Sequence, residues 1–126
     1  MKIPEKTITW SVLGNEYKIT FPNNTEFIEL ESMKVRLSRD TYESLNTTVS
    51  SQYAKLTIDL IAFTTICCPK EFKKDLKVES ISMLDMLTTK KLIQAYMKQI
   101  VPWFYAWETL LNSIDEEEVK EDKTDE

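Results

Sequence analysis

Thr7-Ile8-Thr9-Trp10-Ser11-Val12-Leu13-Gly14-Asn15-Glu16-Tyr17-Lys18-Ile19-Thr20-Phe21 alternates apolar and polar residues on either side of the chain's one glycine. Period two marks a β-strand, and two such runs around a two-residue loop make a hairpin. With Gly14-Asn15 as the loop, Leu13 faces Glu16. Counting outward then pairs Val12 with Tyr17, Trp10 with Ile19 and Ile8 with Phe21. These apolar pairs fall on one face, while Ser11 with Lys18 and Thr9 with Thr20 take the other. A lone two-stranded ribbon is marginal in water, so the apolar face has to cover helices or join another subunit's strands.

Outward from the ribbon the period changes. Pro22 ends the second strand, and Asn23 with Glu26 three residues later forms a capping-box signal for a helix. Phe27, Leu30, Met33 and Leu37 fall on one helical stripe, with Glu26, Glu29, Lys34 and Arg36 largely opposite. Asp40-Thr41-Tyr42-Glu43 signals one short turn before a polar connection over residues 46–52. Residues 53–68 are apolar nearly all round, which predicts a central helix stopped by Pro69, with Lys55 and Asp59 on one strip. Residues 70–77 read as a lysine-rich connector, and 83–86 as a brief turn. Thr88-Thr89 then caps a helix carrying Leu92, Ile93, Tyr96, Met97, Ile100 and Val101. Pro102 marks a kink or a new start. A last helix follows, with Trp103, Phe104, Trp107, Leu110, Leu111 and Ile114 on its apolar side.

Composition agrees with this order. A chain of 126 residues and 14.8 kDa, 42% apolar and 29% charged, suits one soluble domain, and one glycine with four prolines is too little turn chemistry for a sandwich or barrel. The expected class is α+β, mostly α: an N-terminal β-hairpin packed on a small bundle of about four helices. Residues 1–114 form the predicted domain, with the hairpin at 7–21 and the helical body at 24–114. Residues 115–126 hold eight acids against two lysines and one apolar residue, which predicts a disordered acidic tail. The net charge of −5 is therefore a tail property, since the tail carries −6 and the rest of the chain +1.

That distribution weighs against nucleic-acid binding, which draws on a basic excess. There is no histidine, so the usual proton shuttle and the commonest metal ligand are both missing. Cys67 and Cys68 are adjacent and close no useful loop, which favours a reducing, cytoplasmic compartment and buried structural thiols. No cofactor is expected. Neither a signal peptide nor a run long enough for a bilayer is read, and the Asn-X-Thr triplets at Asn23 and Asn46 are treated as chance. Asp59 with Lys55 reads as a helix-surface ion pair, and Glu26, Glu29 and Glu31 as acids suited to a helix start. Lys70, Lys73, Lys74 and Lys77 read as a solvated run. For the cluster Trp103, Phe104, Tyr105 and Trp107 both a core and an interface reading stay open. The candidate partner-binding residues are Trp10, Tyr17 and Phe21 on the ribbon with Trp103, Tyr105 and Trp107 on the last helix.

The stretch from Trp10 to Phe21, followed at once by Phe27, Ile28, Glu29 and Leu30, resembles the start of tail assembly chaperones of tailed bacteriophages. Those open with a strand, a turn containing Asn and Gly, a Glu-Tyr strand and a helical body. The resemblance covers about the first forty residues of the chain. Here the turn is Gly14-Asn15 where Asn-Gly is more usual. It implies a non-enzymatic helper, an oligomer, that coats the tape-measure protein and brings tail-tube subunits to it in the host cell cytoplasm. Two alternatives accompany it. One is a stable virion subunit such as a head-tail connector or tail ring protein. The other is a small nucleic-acid-binding regulator using residues 70–77 with Lys90 and Lys91.

Overall fold

The computed structural model describes residues 3–124, with side chains described as far as Ile114. An antiparallel hairpin, β1 (Thr7–Val12) and β2 (Asn15–Thr20), leads into α1 (Asn24–Leu37) and α2 (Val49–Ile66). Then come α3 (Lys70–Leu76), α4 (Met86–Ala95) and α5 (Val101–Thr124), with short 3-10 turns at Tyr42–Ser44 and Ile81–Met83. A π turn, Tyr96–Ile100, fuses α4 and α5 into one rod. The class is α+β and mostly helical, as the periodicity predicts.

The ribbon keeps its expected faces but not its expected register. The pairs are Trp10 with Tyr17, Ile8 with Ile19 and Val12 with Asn15, so the loop is Leu13-Gly14 rather than Gly14-Asn15. Both loop residues have positive φ, 50° at Leu13 and 80° at Gly14, as a type I′ turn requires. Shifting the loop by one residue moves each pairing by two, so Trp10, Val12, Tyr17 and Ile19 stay on the core face. Side-chain alternation alone could not choose between the two registers. The preference for glycine at the second loop position does.

Asn23 caps α1 as its spacing predicts: its side chain accepts from the Glu26 amide at 2.9 Å, and Glu26 accepts from the Asn23 amide at 3.1 Å. The predicted α1 stripe is only half buried. Leu30 is enclosed and Met33 partly so, while Phe27 and Leu37 are exposed. α2 starts earlier than predicted because Thr48 and Ser51 cap each other across residues read as a connection. The Thr64 hydroxyl donates to the Leu60 carbonyl at 2.8 Å, which lets a polar residue sit buried in α2.

Two further expectations are corrected. The lysine-rich connector is the helix α3, and its Phe72 is buried beneath the ribbon. α4 is capped by Asp85, not by Thr88-Thr89, since the Asp85 carboxylate accepts from the Thr88 amide at 3.0 Å. The kink or new start expected at Pro102 takes the form of the π turn just before it. Proline lacks the N–H that would continue the ladder, and the Val101 amide reaches five residues back to Tyr96. The backbone of α5 is described through Thr124, into the stretch expected as an acidic tail at residues 115–126. The side chains of that acidic stretch lie outside the described residues.

Core packing centres on α2. Phe63 meets the ring of Trp10 edge-on at 5.4 Å, and it also touches Tyr96 at 5.2 Å and Phe104 at 6.1 Å. Trp10 is fully enclosed, with Phe72 at 5.3 Å on its other side. Edge-to-face pairs of this kind add about 0.5–1.5 kcal/mol each beyond the area they bury.

Candidate interaction surfaces

Six aromatic residues are the sequence-level candidates for partner contact, and the fold separates them. Trp10, Tyr17 and Trp103 are buried core residues, which overturns their assignment as a contact surface. The ribbon face that needed a cover has found one inside the same chain: Phe72 lies under Trp10 and meets Tyr17 at 5.2 Å. The Tyr17 hydroxyl donates to Asp75 at 2.6 Å, and burial first, then Asp75, pushes its pKa up to about 12.

Phe21 and Trp107 stack at 5.0 Å, with Trp103 edge-on to Phe21 at 5.5 Å. Both indole N–H groups donate to one acceptor, the Glu5 carbonyl, at 2.6 Å from Trp103 and 3.1 Å from Trp107. A carbonyl oxygen has two lone pairs, so one oxygen satisfies both donors. Phe21 and Trp107 thus fasten the N-terminal segment to α5 instead of standing free, which corrects their assignment too. Tyr105 alone of the six remains open, at 69% exposure.

The ribbon edges also differ from one another. The Phe21 amide donates to the Lys6 carbonyl at 2.8 Å, which places the interstrand bonds on alternate pairs and turns the backbone of Thr7, Thr9 and Ser11 outward on β1. The Gln99 side chain closes that edge at Ser11, accepting from its amide at 2.9 Å and donating to its carbonyl at 2.7 Å. A primary amide held this way imitates a neighbouring strand. On β2 no described residue bonds the outward backbone of Glu16, Lys18 or Thr20, and charged side chains on such an edge discourage strand addition.

A cleft of about 400 Å³ opens between α1 and α5. Its floor is apolar, made by Leu30, Phe63, Tyr96 and Phe104. Phe27 and Leu111 form an exposed apolar rim, and Glu31, Lys34 and Glu108 bring charge to the same opening. Sequence reasoning placed Phe27 and Leu111 on core stripes. The cleft between the two helices leaves both positions uncovered, and no pattern within either helix records that gap.

Beside the cleft lies a polar cluster that the sequence mis-paired. Asp59 accepts a short hydrogen bond from the Tyr42 hydroxyl and stands 3.9 Å from Lys34, whose closer partner is Glu31 at 2.8 Å. Lys55, the expected ion-pair partner, lies over the Tyr42 ring, 4.6 Å from its centre. Burial raises the Asp59 carboxyl above the usual carboxylate range, against the opposing pull of Tyr42, Lys34 and Lys55. Burial likewise pushes the Cys67 thiol up to about 12 and raises Cys68, so both are poor nucleophiles.

Exposed apolar side chains also gather away from the cleft. Ile28 and Val35 share an outer strip of α1, and Met83, Met86 and Leu87 project around the start of α4. Among the described residues no group of His, Cys, Asp and Glu converges as a metal site, and no helix is long and apolar enough to cross a membrane. No protein-family model, curated protein or solved structure matches the chain.

Proposed function

We propose that the protein is a non-enzymatic assembly chaperone of a tailed bacteriophage, which holds a helical segment of the tape-measure protein while tail-tube subunits are brought to it. The supporting observation is the outer strip of α1, where Ile28 is 66% exposed and Val35, two turns on, is 46% exposed. Two aliphatic side chains seven residues apart present the spacing that an amphipathic client helix can match along its own length. They stay in solvent while Leu30 of the same helix is enclosed, so they do not serve this chain's own core. The resemblance of Trp10–Leu30 to the opening of tail assembly chaperones names the class of client.

The test is co-expression with the tape-measure protein. The expected result is a soluble complex that the double substitution I28D/V35D abolishes while the circular dichroism of the chaperone is unchanged. A tape-measure protein that stays insoluble with the wild-type chain, or a complex unaffected by the substitutions, overturns the reading. So does a stoichiometric copy number in finished particles, which would identify a virion subunit instead.

A further inference from the structure

The α1–α5 cleft is lined by aromatic rings from four elements of the chain: Phe21, Phe27, Phe63, Tyr96 and Phe104. Aromatic rings carry partial negative charge on their faces, so such a lining receives an organic cation better than an aliphatic one does. At about 400 Å³ the space lies low in the range of small-molecule pockets. Tyr96 adds an independent observation. It is only 9% exposed, yet its hydroxyl bonds no described residue, whereas Tyr17 and Tyr42 each donate theirs to a carboxylate. Among the described residues the Trp10 N–H is the sealed donor without a partner, so the Tyr96 oxygen keeps access to open space, and the cleft is the space that Tyr96 lines. A hydroxyl buried this far and left unpaired is an unmet hydrogen-bonding demand inside the cleft.

The charges at the mouth point the same way. Lys34 is largely covered and already engaged, by Glu31 at 2.8 Å and by Asp59 at 3.9 Å. Glu108 is exposed on α5 and has no ion-pair partner among the described residues. One acid is therefore left over, and a single positive charge complements it. Burial first, and then the acidic groups Asp59, Cys67 and Glu31, raise the Tyr96 pKa, so the hydroxyl stays a neutral phenol with acids for neighbours. A neutral phenol can still accept, because its oxygen keeps its lone pairs.

We propose that the α1–α5 cleft is a binding site for a small organic cation, a primary ammonium group carried on an apolar aromatic or aliphatic body. The body fills the ring-lined floor, Glu108 supplies the counter-charge, and the Tyr96 oxygen accepts an N–H from the ammonium. Other ligand classes fit less well. A carboxylate would meet Glu31 and Glu108 while Lys34, the cation that could receive it, is already paired. A purely apolar molecule would fill the floor and leave both Tyr96 and Glu108 without a partner. The site does not depend on the chaperone reading, which rests on the outer strip of α1.

The experiment is a calorimetric titration of the full chain at neutral pH with phenethylamine, phenethyl alcohol and phenylacetate, probes that share one apolar body and differ in the charge of the head. Phenethylamine is expected to bind saturably, about tenfold tighter than the alcohol, with phenylacetate the weakest. E108Q removes a charge at an exposed position, and Y96F keeps the ring and deletes only the hydroxyl; circular dichroism checks that both variants fold. E108Q is expected to bring the amine down to the level of the alcohol and to leave the alcohol unchanged. Y96F is expected to weaken the amine about threefold or more, the loss of one hydrogen bond. Absence of saturable amine binding, an alcohol or a carboxylate that binds as tightly as the amine, or an amine affinity that survives both E108Q and Y96F overturns the proposal. None of those outcomes touches client binding through Ile28 and Val35, which the co-expression test reads separately.

Discussion

Leu13 occupies a conformation that branched aliphatic residues rarely adopt, with φ at 50° in the first position of the hairpin loop. The left-handed region costs a residue with a Cβ about 1–2 kcal/mol, and Asn tolerates it through local hydrogen bonding. Leu13 is 43% exposed at the tip of the ribbon and belongs to no core cluster, so replacing it forfeits only part of a leucine's burial. L13N creates the Asn-Gly pair that type I′ loops favour and is expected to raise stability by about 0.5–1 kcal/mol, read as a higher urea midpoint with unchanged slope. A lower midpoint would show that Leu13 has a packing role. Asp59 stores a different cost. Its raised carboxyl pKa means the folded chain holds that proton more firmly than the unfolded chain does. Its contribution to stability therefore falls as pH climbs from the ordinary carboxylate value through the folded one. D59N keeps an acceptor for Tyr42 and removes the charge. The stability of wild type relative to D59N is expected to decline across that window and to be flat on either side, in urea titrations at a series of pH values. A gap that widens in favour of wild type with rising pH would mean that Lys34 and Tyr42 outweigh burial.

Among the elements, β1 depends on a side chain from the far end of the molecule. The π turn carries Gln99, and its amide makes both edge hydrogen bonds to Ser11. Q99A removes both, and since water replaces them in part the expected cost is about 1 kcal/mol. The sharper readout is hydrogen exchange: the Ser11 amide is expected to lose its protection while Trp10 and Val12, bonded across the hairpin, retain theirs. Unchanged exchange at Ser11 would show that the clamp is not held in solution. This clamp could not be read from sequence, because nothing around Gln99 distinguishes it from a surface glutamine. What could be read was local. Alternation placed Trp10, Val12, Tyr17 and Ile19 on one face, Asn23 and Glu26 named the start of α1, and continuous apolarity located α2. Helix α3 was hidden because charged residues fill five of its seven positions and its one deep anchor, Phe72, gives no period. The interface candidates failed for a related reason. Composition cannot tell an aromatic ring that seals the chain's own core from one that waits for a partner, and here Trp10, Tyr17 and Trp103 seal the core. The open surfaces are made mostly of aliphatic residues and methionines, such as Ile28, Val35, Met86 and Leu87, whose helical spacing does not distinguish them from core positions.

At the scale of the whole molecule, the first and last described elements hold each other. Ser11 meets Gln99 across 88 residues of chain, and the Glu5 carbonyl meets Trp103 and Trp107 across 98 and 102. Between them α2 bridges the two ends, since its Phe63 touches the ribbon, the π turn and α5 through Trp10, Tyr96 and Phe104. The chain's three tryptophans all lie at this junction: Trp10 on the ribbon, Trp103 and Trp107 on α5. Their fluorescence therefore reports contact between the two ends, while far-UV circular dichroism reports mainly the helices. If the structure is one cooperative unit, the two signals are expected to trace a single urea transition with the same midpoint and slope. Helical signal persisting after the tryptophans reach solvent would mean that α1 and α2 stand without the ribbon. Phe63 would then have an adequate cover other than Trp10, and the ribbon would be an appendage to the helical body instead of its lid.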